Sequence, residues 1–243
     1  MTTSSPFESV HERMGADFSE YHGWRLPRDY GNAAAEGKAL EQGSAAFDLS
    51  SFGKITVKGS QSEALVIKLL GENSEMPGDG KWIWSSAGDT EGAGSAAVRV
   101  GKVRESYMIF TYPQERETVF SRAQSLVSQN NLSKVALSDI TEKTGMLGIY
   151  GPGAINAVGN ILPFDISGIE QGDIRTISFF MMSVTLVCGS WLGVAGLELL
   201  CPSAVCGMAA GAIAKYHERA KITPAGMECF EKALLSFKGV FRG

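Results

Sequence analysis

A chain of 243 residues, 44% hydrophobic and 20% charged, is long enough for a sizeable core in one large domain or two small lobes, and its composition excludes a disordered chain. The formal charge of −4, from 22 Lys and Arg against 26 Asp and Glu, includes no basic block and argues against a nucleic-acid partner. Cys188, Cys201, Cys206 and Cys229 lack Cys-x-x-Cys spacing and the three histidines are scattered, so thiols in a reducing cytosol are expected and a metal site is not.

Met1-Thr2-Thr3-Ser4-Ser5-Pro6 lacks the basic-then-apolar pattern of a signal peptide, and a cytoplasmic location is expected. Phe52 to Lys58 alternates like a strand. Ser60 and Glu63 form a capping box that opens a helix bearing Leu65, Leu69 and Leu70. Lys81 to Ser85, Ala96 to Val100 and Tyr107 to Thr111 read as short strands. Pro113 is placed to begin a helix reaching Gln129, with Phe120, Ala123 and Val127 on its buried stripe. A second cycle follows: a strand over Met146 to Tyr150, a turn at Gly151-Pro152-Gly153, and a helix carrying Ile155, Val158 and Leu162.

Thr176 to Leu197 carries no charge and could span a bilayer by length. Cys188-Gly189-Ser190 and Gly193 to Gly196 interrupt it with turn formers, so a hairpin of two core strands is expected instead of a membrane segment. Ser203 is expected to cap a small-residue helix running to about Glu218, and Pro224 to start a last helix over Met227 to Phe237. Strand–helix–strand–strand–helix, given roughly twice, predicts an α+β fold of two ferredoxin-like halves whose antiparallel sheets are covered by helices. One lobe is expected over about 1–51 plus 136–243 and the other over about 52–135.

His22-Gly23-Trp24-Arg25-Leu26-Pro27-Arg28-Asp29-Tyr30, then Phe47-Asp48-Leu49-Ser50-Ser51-Phe52-Gly53, resembles the opening of the glycine-cleavage T-protein (aminomethyltransferase) superfamily, which reads Gly-Trp-x-Met-Pro-x-x-Tyr and Phe-Asp-Val-Ser-His-Met-Gly. The resemblance extends from about Gly15 to Phe237 and includes Gly148-Ile149-Tyr150-Gly151-Pro152-Gly153-Ala154, similar to a Gln-Gly-Pro-x-Ala segment. It implies a folate-binding fold, tetrahydrofolate as cofactor and one-carbon chemistry. Compared with the family's full length, the chain is expected to lack the carboxyl-terminal β-barrel.

A folate pocket needs an apolar slot and a carboxylate that accepts hydrogen bonds from the pterin ring. Glu198, alone in an apolar strand, is either a strand-end glutamate facing water or that carboxylate. The resemblance favours the second: Cys188 to Glu198 matches the family's Arg-x-Gly-Tyr-Thr-Gly-Glu-x-Gly-Phe-Glu at Gly193, Gly196 and Glu198, with Cys188, Trp191 and Val194 replacing Arg, Tyr and Glu. Tyr30, Trp191, Gly193, Gly196 and Glu198 are therefore the implied cofactor-binding residues, and Trp24 is read as packing.

The family's catalytic Asp-Asp pair aligns with Ala96 and Ala97, which leaves Asp89 and Glu91 as substitutes for the lost acid. Loss of such a group commonly costs roughly 100- to 10,000-fold in rate. Phe230 stands where the family has an arginine, while Pro224 and Gly226 are retained. Three functions follow from the resemblance: a tetrahydrofolate-binding protein with an eroded pocket, an active aminomethyl or methyl transferase, or a non-catalytic subunit of a sarcosine-oxidase-like complex. The last implies a protein partner, and a homo-oligomer is also compatible with the sequence.

Overall fold

The computed structural model describes residues 2–88, 95–179 and 182–240. In chain order they form β1 (Thr3–Ser4), α1 (Glu8–Arg13), β2 (Asp17–Tyr21), β3 (Trp24–Asp29), α2 (Ala33–Gln42), β4 (Ala45–Asp48), β5 (Gly53–Lys58), α3 (Ser62–Leu70), β6 (Trp82–Ala87), β7 (Ala96–Val103), β8 (Ser106–Thr111), α4 (Arg116–Gln129), β9 (Ala136–Asp139), β10 (Thr144–Tyr150), α5 (Ala154–Gly159), β11 (Ile174–Phe179), β12 (Met182–Cys188), β13 (Gly196–Pro202), α6 (Ser203–Ala220), β14 (Thr223–Pro224) and α7 (Met227–Val240). They divide into two compact units. The first holds Met1–Ser51, Glu142–Gln171 and Thr176–Gly243, and the second holds Phe52–Thr141 and Gly172–Arg175. The strand Ala136–Asp139 pairs with β5 and so belongs to the second unit.

The second unit is a five-stranded sheet in the order β6-β7-β8-β5-β9. Without the edge strand β6, this is the ferredoxin-like order, with α3 and α4 as the two crossover helices. Period-two alternation puts Ile55, Val57, Val98, Val100 and Ile109 on one face. They pack there with Leu65, Val66 and Leu69 of α3 and with Val119 and Ala123 of α4. Phe120 and Val127 are only partly buried against this core, so the inner stripe of α4 is turned one position from the expected one. The capping box does not form. The helix starts at Ser62 without a side-chain cap, and the Glu63 carboxylate instead accepts from the Tyr107 hydroxyl at 2.9 Å and from Lys102 at 3.3 Å.

The first unit carries a six-stranded sheet in the order β11-β12-β13-β10-β4-β14. The ferredoxin-like set is β12-β13-β10-β14, with β4 from the amino-terminal segment inserted between β10 and β14. One face packs Leu147, Ile149, Leu186, Leu197 and Cys201 against Ala154, Ala157 and Val158 of α5 and Cys206 of α6. The uncharged stretch holds most of β11, all of β12 and the start of β13, three strands where two were expected, with β12 and β13 paired antiparallel from Thr185↔Leu200 to Cys188↔Leu197. Among the described residues, no helix is long and apolar enough to cross a membrane. Two helix starts differ from expectation: Ser203 is the first helical residue behind Pro202 with no side-chain cap, and Pro224 lies in β14, ahead of α7.

A small third sheet, β1-β3-β2, completes this unit. Its hairpin turns at His22 and Gly23, whose φ values of 48° and 80° suit a two-residue turn matched to strand twist. Trp24 and Leu26 behind it are buried.

Candidate functional site

Glu198 is fully buried, on the face of β13 opposite the helix-covered core. Its strand neighbours are Gly148 on β10 and Val187 on β12, and Gly148 in turn pairs with Phe47 on β4. The glycine is needed in that row. A Cβ there would stand 2.9 Å from Tyr150 Cζ and 2.7 Å from Leu49 Cδ1. Without that Cβ, the Tyr150 ring lies over the strand and its hydroxyl donates to Glu198 Oε1 at 2.5 Å. Tyr150 Oη also accepts the Trp191 backbone N–H at 3.4 Å. A buried carboxylate without such donors would cost several kcal/mol, and these contacts explain how an acid persists inside this sheet.

Aromatic rings enclose the pair. Phe230 of α7 meets Phe47 edge-on at 5.5 Å and Tyr150 at 6.5 Å, and Phe47 lies 5.8 Å from Tyr150. Phe47, Tyr150, Trp191 and Phe230 are all buried. The retained glycines make room for this packing. A Cβ at Gly196 would stand 2.5 Å from Tyr150 Cδ1, and one at Gly193, where φ is +68°, would overlap the Phe237 ring. Trp191, Gly193, Gly196 and Glu198 are thus brought together in one hairpin.

Tyr30 belongs to a different polar cluster of the same unit. Its hydroxyl shares a 2.6 Å hydrogen bond with His11 Nδ1, and His11 Nε2 lies 3.0 Å from Asp48 Oδ2. Asp48 also accepts from the Ser5 hydroxyl and, at 2.9 Å, from the Ser50 N–H. Burial pushes the Tyr30 phenol well above its ordinary range, reinforced by the negative charges of Asp48 and Glu36. Burial would also raise Asp48, but the hydrogen bond and charge of His11, with Ser5 and Ser50, outweigh it and hold that carboxyl below the usual carboxylate range. Glu36 closes the arrangement, taking the Tyr30 N–H at 2.7 Å and the Gly226 N–H at 3.0 Å. Gly226 is required at that point because a Cβ would collide with the Arg28 carbonyl.

Sequence reasoning passed over His11, Glu36 and the inward role of Asp48. The available signal was polar residues at buried positions of apolar-periodic segments. The same signal marks Arg99 in the second unit. It is buried, with its guanidinium 5.0 Å from the Trp82 ring, 5.4 Å from Phe110 and 5.8 Å from Trp84, within reach of a cation–π attraction. Ala96 and Ala97 open the same strand and pair with Ala87 and Ser86, so the positions aligned with the acid pair carry no ionisable group. Asp89 and Glu91, the substitutes named from sequence, lie outside the described residues. No group of three or more His, Cys, Asp or Glu residues suited to a metal occurs among the described residues.

The model of the GCVT N-terminal domain matches residues 7–237, almost the whole chain. The chain belongs to that family. Aminomethyltransferases of Saccharopolyspora erythraea and Mycobacterium avium are similar at 24% identity over 226 residues and 26% over 225. These alignments cover 93% and 91% of this chain but 61% and 59% of the relatives, so the chain spans about six-tenths of the length of those curated relatives. Among solved structures, glycine cleavage system aminomethyltransferase T of Bartonella henselae superposes with a TM-score of 0.83 at 16% identity, covering 97% of this chain and 62% of that one. A chain of the heterotetrameric sarcosine oxidase of Corynebacterium sp. U-96 superposes with a TM-score of 0.54 at 16% identity, covering 79% and 93%. These two likenesses show a shared GCVT-type α+β fold, and the sequence matches make the chain aminomethyltransferase-like.

Proposed function

We propose that this GCVT-domain chain binds tetrahydrofolate, or a derivative, through Glu198 and transfers aminomethyl groups weakly or not at all. The single observation that carries the binding half is the fully buried Glu198 carboxylate, in the family's Gly-x-x-Gly-x-Glu spacing and walled by aromatic rings. An ionised carboxylate is acceptor-only, and the amino and amide N–H groups of a pterin edge present two parallel donors to it. The donor chemistry of the site therefore fits the cofactor, with Tyr150 and Trp191 beside the carboxylate. When bound, tetrahydrofolate supplies the nucleophilic nitrogen that accepts a one-carbon unit.

The weak-transfer half is supported by Ala96 and Ala97 in place of the acid pair and by Phe230 buried against Phe47 where the family carries an arginine. A phenyl ring offers no hydrogen-bond donor to a carboxylate or to developing negative charge.

Calorimetric titration with tetrahydrofolate tests the binding half, comparing the natural chain with Glu198→Gln and Glu198→Ala. Binding should weaken at least tenfold in both variants, about 1.4 kcal/mol, while a parallel assay for methylenetetrahydrofolate from an aminomethyl donor stays near background. Equal heats in all three proteins, or none in any, would remove Glu198 as the pterin ligand. Rapid turnover by the natural chain would instead establish an active transferase, with Asp89 and Glu91 as the acids to replace first. The likeness to a sarcosine oxidase chain over 93% of that chain's length favours a second reading, a non-catalytic subunit that works beside a partner protein. Light scattering with pull-down from the source cell checks it, since a monomer that retains no partner opposes it.

A further inference from the structure

We infer that Cys201 and Cys206 are a modification site: a vicinal dithiol that closes to an internal disulfide under a low-molecular-weight disulfide oxidant. Cys201 lies near the end of β13 and Cys206 in the first turn of α6, so the chain reverses between them and brings the two sulfurs to 3.2 Å. A disulfide needs about 2.05 Å, so bond formation draws the sulfurs about 1 Å closer than they stand. The local packing keeps the sulfurs adjacent. Cys206 S–H points to the Pro202 and Cys201 carbonyls at 3.4 and 3.6 Å, and Gly145 on the neighbouring strand leaves the space that a Cβ would take from Cys206 Sγ.

The two sulfurs differ in role. Cys206 sits in the uncapped first turn of an 18-residue helix, whereas Cys201 is held in the paired strand β13. The hydrogen bond with Cys206, reinforced by burial, pushes the Cys201 thiol up. Cys206, on the element end that opens more readily, is therefore assigned as the attacking sulfur and Cys201 as the resolving one. The first turn of α6 has no side-chain cap, and Gly207 directly follows Cys206. Both features weaken a helix end and allow the local opening through which a small oxidant reaches the buried pair.

The reaction balances as follows. The Cys206 thiolate attacks oxidised glutathione, forming a mixed disulfide and releasing one glutathione thiolate. Deprotonated Cys201 then attacks Cys206 Sγ, forming the internal bond and releasing the second. Two protein thiols are oxidised and one glutathione disulfide is reduced to two glutathione molecules.

The test equilibrates the natural, folded chain with oxidised glutathione, quenches in acid, alkylates under denaturing conditions and maps the peptides by mass. Two of the four thiols should be lost with a two-hydrogen mass decrease confined to the segment holding Cys201 and Cys206. The bond should persist in Cys188→Ser and Cys229→Ser. In Cys201→Ser it should be replaced by one glutathione adduct on Cys206. Hydrogen exchange in the first turn of α6 should slow on oxidation. Full alkylation of all four cysteines in the natural chain, an internal bond that includes Cys188 or Cys229, or glutathione adducts with no internal bond would each overturn the assignment, and none of these outcomes requires a variant to fold.

Discussion

The two units repeat one strand order but satisfy their buried charges differently. The first holds Glu36, Asp48 and Glu198 in its interior, satisfied by backbone N–H groups for Glu36, by Tyr150 for Glu198, and by Ser5, Ser50 and the hydrogen bond and charge of His11 for Asp48. The second buries Lys54 and Arg99, one donating to the Phe52 carbonyl at 2.8 Å and the other stacked among aromatic rings. Its acids are matched by cations, as in Asp139 with Arg116 and buried Asp173 with Lys81 and Arg175, each at 2.6 Å. A shared topology therefore leaves the interior chemistry open. What decides it is which small residues, Gly148 and Gly226 above all, let a donor approach.

If that account holds, the greatest damage should come from filling such a gap. Gly226→Ala drives a Cβ into the Arg28 carbonyl, a backbone collision no side-chain rotation relieves, and should destabilise the first unit by about 3 kcal/mol or more. Urea unfolding followed at α7 would register it.

Asp48→Asn comes next. Removing one partner of a buried charged cluster typically costs about 3–5 kcal/mol, and the thermal midpoint should fall accordingly. The pH dependence has a definite sign. The folded carboxyl titrates below its unfolded value, so its contribution is complete above about pH 4, near the ordinary carboxylate value, and is lost as pH falls through the lower folded value. The natural chain should lose stability over that acid range more steeply than Asp48→Asn, and equal slopes would deny the Asp48–His11 linkage.

Glu198→Ala strands the Tyr150 hydroxyl in an apolar enclosure and should cost about 1–3 kcal/mol. Adding Tyr150→Phe should recover much of that loss in a double-mutant cycle, because both halves of the hydrogen bond are then gone. A fully additive pair would mean that the 2.5 Å contact contributes nothing.

The smallest effects belong to the second unit's ion pairs. Arg116→Met should cost no more than about 1 kcal/mol, since the Arg116 side chain is 26% exposed. Lys102→Met, whose Glu63 partner is mostly exposed, should be indistinguishable from the natural chain in the same melt. A large loss at either position would erase the distinction drawn between the units.

Hydrophobic periodicity and turn residues were enough to read the two strand–helix cycles, the antiparallel hairpin that carries Glu198 and the turn at Gly151, because those features are encoded by neighbours a few positions apart. Order along the chain, from Trp24 through Pro224, was enough to suggest the family. The helix starts were less legible: Glu63 and Ser203 carry capping chemistry, yet Glu63 is engaged by Tyr107 and Lys102 from β7 and β8. Pairings across the sheet were not legible at all. Nothing near Glu198 in sequence announces Tyr150, and nothing near Tyr30 announces His11, Asp48 or Gly226. Sequence alone determined which segments could be strands and helices and which acids would be costly to bury. Tertiary structure decided which donors reach those acids, because a hydrogen bond is set by approach within about 3 Å, and residues up to 190 positions apart, such as Glu36 and Gly226, come that close only when the sheet has closed.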